Sequence, residues 1–362
     1  MPISSTHQQR LEEQTSRSTL TACLRLSKEW SPAVMDLICQ HIVVRSDNVA
    51  AKWQHVCQTV LNNIEKDPTL YREECRDRRR FVKGLSVINS VKQDLDRDSR
   101  PVDVTCQLGP LPCLENLELH GLRLDVSNLF QALPTLRGVK LVDCVLDLTS
   151  SIVEARKLEH LELDRVAVAR RNVWSFVLND ATFPRLQSLA LSGPLDLGSN
   201  EEFVEAFQNI VEQLKHVSLA FEPKWEPTGP SALQLNLWIT SLLPRCTKLD
   251  DLKLKLVTSN PWLALTMRSA TLAWTRRDTL PTQHDGGGIN KLVVVLEPSK
   301  ENQPKRDLAI CFSRLMLIEL KSGSLPGLRQ LGVVDGDDDS LNQEMVTSAL
   351  RDELGRRGIE LI

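Results

Sequence analysis

The chain has 362 residues, with 44 Lys and Arg against 47 Asp and Glu, for a net charge of −3. That balance gives no reason to expect a polyanionic partner, and no apolar run reaches the ~18 residues of a membrane-crossing helix. Nine cysteines with no CxxC pair argue against a disulfide framework and predict reduced thiols, buried as small hydrophobes, in the cytoplasm or nucleus.

Residues 1–19 are polar and read as a flexible N-terminus; they lack the apolar core of a secretory signal. Residues 20–78 form a different segment. Leu20, Cys23 and Leu24 sit at helical spacing, and Ser31-Pro32 starts a second helix, since Ser caps and Pro fits the first turn. "HIVVR" is a short apolar strand. "SDNVAAKWQHVCQTVLNNI" then reads as an amphipathic helix capped by Ser46 or Asp47 and ended by "KDP".

From about residue 79 to the C-terminus one pattern recurs. "LPCLENLELHGLRLD" (111–125) aligns without gaps on "LPTLRGVKLVDCVLD", "ARKLEHLELDRVAVA" and "FPRLQSLALSGPLDL". Counting from the first residue as zero, offset three is Leu114, Leu136, Leu158 and Leu186. Offset six is Leu117, Val139, Leu161 and Leu189, and offset eight is Leu119, Leu141, Leu163 and Leu191. Looser copies carry Val82, Leu85, Val87; Leu214, Val217, Leu219; Leu249, Leu252, Leu254; Ile289, Leu292, Val294; and Leu328, Leu331, Val333. Offsets six and eight differ by two, so both side chains leave one face of a strand. "DVSNLFQAL", "RNVWSFVLND" and "NEEFVEAFQNIVEQL" supply helical periodicity between strands. A strand–turn–helix cycle of roughly 22 to 40 residues signals a solenoid, since one unit cannot bury enough apolar surface alone. Insertions interrupt it near 222–232, 259–288 and 297–308; the first two carry Trp225, Trp262 and Trp274, which either bind or pack a longer helix.

Catalytic and metal motifs are absent. "DGDDDS" (335–340) fails as a calcium loop, with Ser340 where Gly is required and Val346 where Glu is required. "HDGGG" has no accompanying G-x-S-x-G, and no P-loop or H-E-x-x-H occurs. His120, His160 and His216 fall at different strand offsets without a cysteine or carboxylate set around them. The expectation is a non-catalytic chain needing no cofactor and no metal.

Leu114 through Leu124 resembles the leucine-rich-repeat pattern L-x-x-L-x-L-x-x-(N/C)-x-L, with Leu122 at the Asn/Cys site, Cys144 in the next copy and Val166 in the one after. The resemblance implies an α/β solenoid of an irregular, longer-repeat kind, with parallel strands on the concave face and helices on the convex face. In the N-terminal segment, "LRLSKEWSPAVMDLICQHIVVRS" resembles the end of a fungal F-box domain and its junction with such repeats, through Leu26, Ser27, Lys28 and Trp30 and then Leu37, Ile38, His41, Ile42, Val43 and Val44. "LRDELGRRGIELI" is similar to the closing helix and strand of that family. The L-P-x-E opening of an F-box has no counterpart in residues 1–19, so its first part is missing or degenerate. The resemblance implies a substrate-recognition subunit of an SCF-type ubiquitin ligase, with Leu24, Leu26 and Trp30 facing the Skp adaptor of a cullin–RING ligase or else capping the open end of the array. The alternative is a stand-alone repeat scaffold without ligase coupling.

Offsets five, seven and nine point away from the core. They include Glu118, His120, Lys140, His160, Glu162, Asp164, His216, Lys253 and Lys255. The stripe is polar, mixed in sign and free of aromatics, which suits a protein partner better than a nucleic acid; the plain alternative is a solvated sheet face.

Overall fold

The computed structural model describes residues 41–46, 82–89, 111, 113–148, 155–169, 173–192, 200–221, 246, 248–258, 289–298, 305–323, 325, 327–335, 338–341 and 346–362. Leu24, Leu26 and Trp30, the helices expected in the N-terminal segment, and the insertions near 222–232 and 259–288 lie outside these residues. The protein is α/β, with strands that run parallel almost throughout and few helices. It forms two units, Met1–Val177 with Ala181–Arg185, and Leu178–Asp180 with Leu186–Ile362.

In the first unit, strands β1 (His41–Ser46), β2 (Gly84–Asn89), β3 (Asn116–His120), β5 (Gly138–Val142) and β7 (His160–Asp164) pair in parallel, each with the next. The register follows the sequence copies: Leu85, Leu117, Val139 and Leu161 are partners in turn, as are Val87, Leu119, Leu141 and Leu163. All of these are buried, together with Leu114, Leu136 and Leu158 from the turns leading into the strands. Residues one position apart on a strand face opposite sides, so a shift of one would bring every leucine out into water. That penalty pins the alignment.

A second, three-stranded sheet follows the first: β4 (Arg123–Asp125), β6 (Val145–Asp147) and β8 (Ala167–Val168), again parallel. Between β3 and β4, β5 and β6, and β7 and β8 the chain turns at one repeated position, occupied by Gly121, Asp143 and Arg165, with φ of 65°, 51° and 50°. Only glycine adopts this left-handed backbone without steric cost. At Asp143 and Arg165 the conformation is held by the turn's backbone bonds, Gly121 N–H to Val142 O and Asp143 N–H to Asp164 O, both 2.9 Å. The next residue, Leu122, Cys144 or Val166, is buried in each case. The Cys144 thiol lies 3.4 Å from Leu119 O and 3.3 Å from Val142 O, and burial pushes its pKa up to about 12. It therefore stays protonated and serves as a small hydrophobe with a weak donor. Cys113, Cys144, Cys246 and Cys311 are all free thiols.

Helix α1 (Val126–Ala132) is capped by Asp125, whose carboxylate accepts from the backbone N–H of Ser127 at 3.0 Å and Asn128 at 3.4 Å. Helix α2 (Val173–Val177) buries Val173, Trp174, Phe176 and Val177. Phe130 of α1 meets Phe183 edge-to-face, with ring centroids 4.9 Å apart.

In the second unit, β9 (Ser188–Ser192), β10 (His216–Phe221), β11 (Asp251–Thr258), β12 (Lys291–Pro298) and β13 (Gln330–Asp335) pair in parallel. Leu189, Val217, Leu252, Leu292 and Leu331 form one buried row, and Leu191, Leu219, Leu254, Val294 and Val333 another. Helix α3 (Asn200–Ile210) runs into a 3-10 turn, Val211–Gln213. Helix α4 (Lys305–Ser322) starts inside the stretch read as an insertion at 297–308, and β12 continues to Pro298, so at most residues 299–304 connect them. The α4 stripe Leu308, Phe312, Met316 and Leu320, spaced by four, is buried, and the helix packs on β12 and on α5 (Ser348–Arg357). Gly358, at φ 66°, ends α5 by donating to Leu354 O and Gly355 O.

One strand breaks the pattern. β14 (Asp338–Leu341) lies antiparallel to β13 across an irregular register, with Val334 opposite Leu341 and Asp335 opposite Asp338. The closing strand β15 (Glu360–Leu361) pairs with β13 in parallel.

Candidate functional site

The outward positions of the first unit join into one polar seam. Ser86, Glu118, Lys140 and Glu162 are register partners on β2, β3, β5 and β7. The Ser86 hydroxyl donates to Glu118 Oε2 at 2.7 Å. Because that uses its only proton, Ser86 accepts from His41 Nε2–H, 3.0 Å away. A side chain at Gly84 would collide with the His41 ring, so glycine there leaves the ring its place. Glu118 Oε1 lies 3.0 Å from His120 Nε2 and 3.8 Å from Lys140 Nζ, and Lys140 Nζ reaches Glu162 Oε1 at 2.9 Å.

The electrostatics follow from these contacts. The His120 contact, offset in part by burial and then aided by the Ser86 hydroxyl and the charges of His120 and Lys140, holds the Glu118 carboxyl down to about 2. Burial alone would push the Lys140 ammonium down, but the hydrogen bond and charge of Glu162, with Glu118 and Asp164, outweigh it and raise its pKa. Both groups are therefore charged across the whole neutral range. The proton order His41 to Ser86 to Glu118 is the reverse of serine activation, in which the imidazole accepts the hydroxyl proton. A carboxylate ionised down to pH 2 is a poor base. The seam orients side chains rather than priming a nucleophile.

At the strand ends, Arg165 forms a two-pronged pair with Asp143, Nε to Oδ1 at 2.7 Å and Nη2 to Oδ2 at 3.0 Å, and its Nη1 lies 3.0 Å from Asp164 Oδ2. Arg165 thus ties the two left-handed turn residues together. His160 occupies the first position of β7, exposed and beside Gly138.

The second unit places the remaining predicted residues differently. His216 Nδ1 lies 3.0 Å from Asp251 Oδ2 on the neighbouring strand. Lys253 is exposed on β11 between Ser218 and Val293, and Lys255 stands between Ala220 and Val295. His160 and His216 share the first strand position while His120 holds the fifth, and no set of three His, Cys, Asp or Glu among the described residues is placed to hold a metal ion.

Sequence reasoning picked out Glu118, His120, Lys140 and Glu162 but missed their extension to Ser86 and His41. Ser86 is the corresponding offset of the loosely matching first copy, so the signal was present in the register. It also missed the buried pair of Arg123 Nη2 and Asp147 Oδ2, 2.8 Å apart on β4 and β6. No helix among the described residues is long and apolar enough to cross a membrane. No protein-family model matches the chain, and a search of the curated proteins finds no match.

Proposed function

We propose that this chain is a leucine-rich-repeat solenoid of F-box type, working in the cytoplasm or nucleus, and that it selects a target protein for an SCF-type ubiquitin ligase. In this reading the parallel strands line the concave side. The outward row from Glu118 to Asp164, with His216, Lys253 and Lys255, contacts the target, while Leu24, Leu26 and Trp30 face the Skp adaptor. No nucleic acid, membrane or cofactor takes part. The observation that supports the reading most is the in-register ladder: successive copies bury the same leucine positions and leave the same alternate positions outward, which gives a partner a regular polar surface. The likeness of the closing stretch "LRDELGRRGIELI" to the family adds support to the reading; in this chain it falls on a helix, Ser348–Arg357, and a short strand, Glu360–Leu361.

Co-purification of the full chain with the Skp adaptor tests the ligase half. Stoichiometric association that Trp30→Ala and Leu26→Asp abolish is the expected result. No association leaves a stand-alone binding scaffold. For the outward face, Glu162→Lys and Lys253→Glu reverse exposed charges, and Glu118→Gln removes one without reversing it beside Lys140. Unchanged target capture by all three, with an unchanged circular dichroism spectrum, would remove this face as the reader.

A further inference from the structure

Helix α4 of the second unit is apolar on nearly every side. From Leu308 to Leu320 only Ser313, Arg314 and Glu319 are polar. Leu308, Phe312, Met316 and Leu320 form its buried side, and the helix packs on β12 and α5. The other apolar residues point elsewhere. Ile310, Cys311, Leu315 and Leu317 are partly exposed, and Ile318, at 61%, is the only exposed large hydrophobic among the described residues. A surface helix needs one apolar stripe, whereas a helix apolar all round is normally enclosed. Cys311 and Ile318 are seven residues apart, about two turns, so they share one side of the helix with Leu315 between them. A charged row of the same spacing runs beside them: Asp307, Arg314 and Lys321, all exposed. Lys321 lends its charge to Glu353 of α5, but the salt bridges of Glu353 are with Arg356 and Arg357.

We propose that this side of α4 is covered by α4 of a second copy of the chain, the two helices running antiparallel about a two-fold axis at Arg314. The charged row selects that occupant. Asp307 and Lys321 lie seven residues to either side of Arg314, about 10 Å in each direction. A two-fold axis there brings each Asp307 to the Lys321 of the other copy, so one complementary contact forms twice, as an isologous interface requires. Cys311 and Ile318 meet across the axis in the same way, which takes both isoleucines out of water. An acid in the first turn and a base in the last also suit the helix dipole, but the dipole gives no reason for an exposed isoleucine. A lipid surface fits less well, since Asp307 and Glu319 balance Arg314 and Lys321, unlike the cationic face of an interfacial helix. Arg314 meets its own copy at the axis, so its charge opposes the contact. One helix pair of this length also falls below the roughly 1,200 Å² of a stable interface. The dimer is therefore weak and forms as concentration rises.

The test is sedimentation equilibrium of the full chain from about 1 to about 100 μM. A reversible monomer–dimer equilibrium is expected. Ile318→Asp, at an exposed position, should abolish it with an unchanged circular dichroism spectrum. Asp307→Lys and Lys321→Asp should each weaken it about ten-fold or more by setting like charges opposite one another, and the two together in one chain should restore it. Should Ile318→Asp fail to fold, these exchanges at the exposed ends of the helix carry the test alone. Arg314→Ala should tighten the dimer several-fold. A chain that stays monomeric throughout, or a dimer indifferent to Ile318→Asp, overturns the proposal. So does a double exchange as weak as the single ones, because the proposed two-fold axis sets these two positions against each other. Binding to phosphatidylserine vesicles that Ile318→Asp abolishes, with the chain still monomeric, would overturn it too and make this side of α4 a membrane surface. None of these measurements involves the adaptor or the outward strand positions, so this inference and the proposed function can fail separately.

Discussion

The outward rows of the two units handle charge in opposite ways. In the first, the central positions read Ser86, Glu118, Lys140, Glu162, and each charge has an opposite charge or a hydroxyl on the next strand. In the second, the matching positions read Ala190, Ser218, Lys253, Val293, Gly332, and Lys253 has neutral neighbours on both sides. Adjacent parallel strands hold such side chains ~4.8 Å apart, close enough for an ion pair to form wherever alternate strands carry opposite signs. The first row spends its charges on itself; the second leaves Lys253 facing solvent. Parallel strands of the same spacing thus carry a different surface in each unit, set by single residues at one repeated offset.

The comparison can be broken or sharpened by substitution, and the largest effects lie beneath the faces. Asp147→Ala leaves Arg123 in a buried site and should cost about 3–5 kcal/mol in urea unfolding, with much of the loss recovered when Arg123 is replaced by Met in the same chain. An Asp147→Ala cost below about 1 kcal/mol would mean that the pair is hydrated. Leu119→Ala and Leu254→Ala remove equivalent fully buried leucines from the two units and should each cost about 2–5 kcal/mol. A large difference between them would show that the two cores are packed to different standards.

Glu118→Gln tests the seam through its pH dependence. The folded carboxyl titrates near 2 and the unfolded one near 4.5, so its contribution is complete above pH 4.5 and is lost as the pH falls toward 2. The stability gap between wild type and Glu118→Gln should therefore narrow as the pH falls through that window. A gap that does not change with pH would mean that the carboxylate gains nothing from His120, Ser86 and Lys140. The smallest effects separate the two rows directly. Lys140→Ala should cost about 0.5–1 kcal/mol as a partly exposed paired charge, whereas Lys253→Ala should stay within about 0.5 kcal/mol. Equal costs would erase the distinction between a self-paired row and an open one.

Much of this was legible before the structure. The leucine offsets placed Leu85, Leu117, Val139 and Leu161 in one row, and the alternation of two put Glu118 and Lys140 outward, because a strand has only two faces. The helix after Asp125 was implied by the stretch "DVSNLFQAL", and the final helix and strand by the likeness of the closing motif. Other features carried no such signal. Asp143 and Arg165 stand at the offset of Gly121; Asp is only an occasional occupant of a left-handed turn and Arg is not a residue type that announces one. Arg123 and Asp147 were given no role, since the three-stranded sheet that buries them was not anticipated.

The sequence by itself determined which side chains face inward, because apolar periodicity is a one-dimensional record of burial and a register slip would expose all of it. Which strands become neighbours, and hence which charges meet, was decided only in three dimensions. Ser86 and Glu118, 32 residues apart, share one repeated offset, but His41 lies 45 residues from Ser86 and outside the repeated pattern, so that contact leaves no periodic trace along the chain. The antiparallel β14 was likewise settled by tertiary pairing, where the repeated pattern no longer dictates the strand direction.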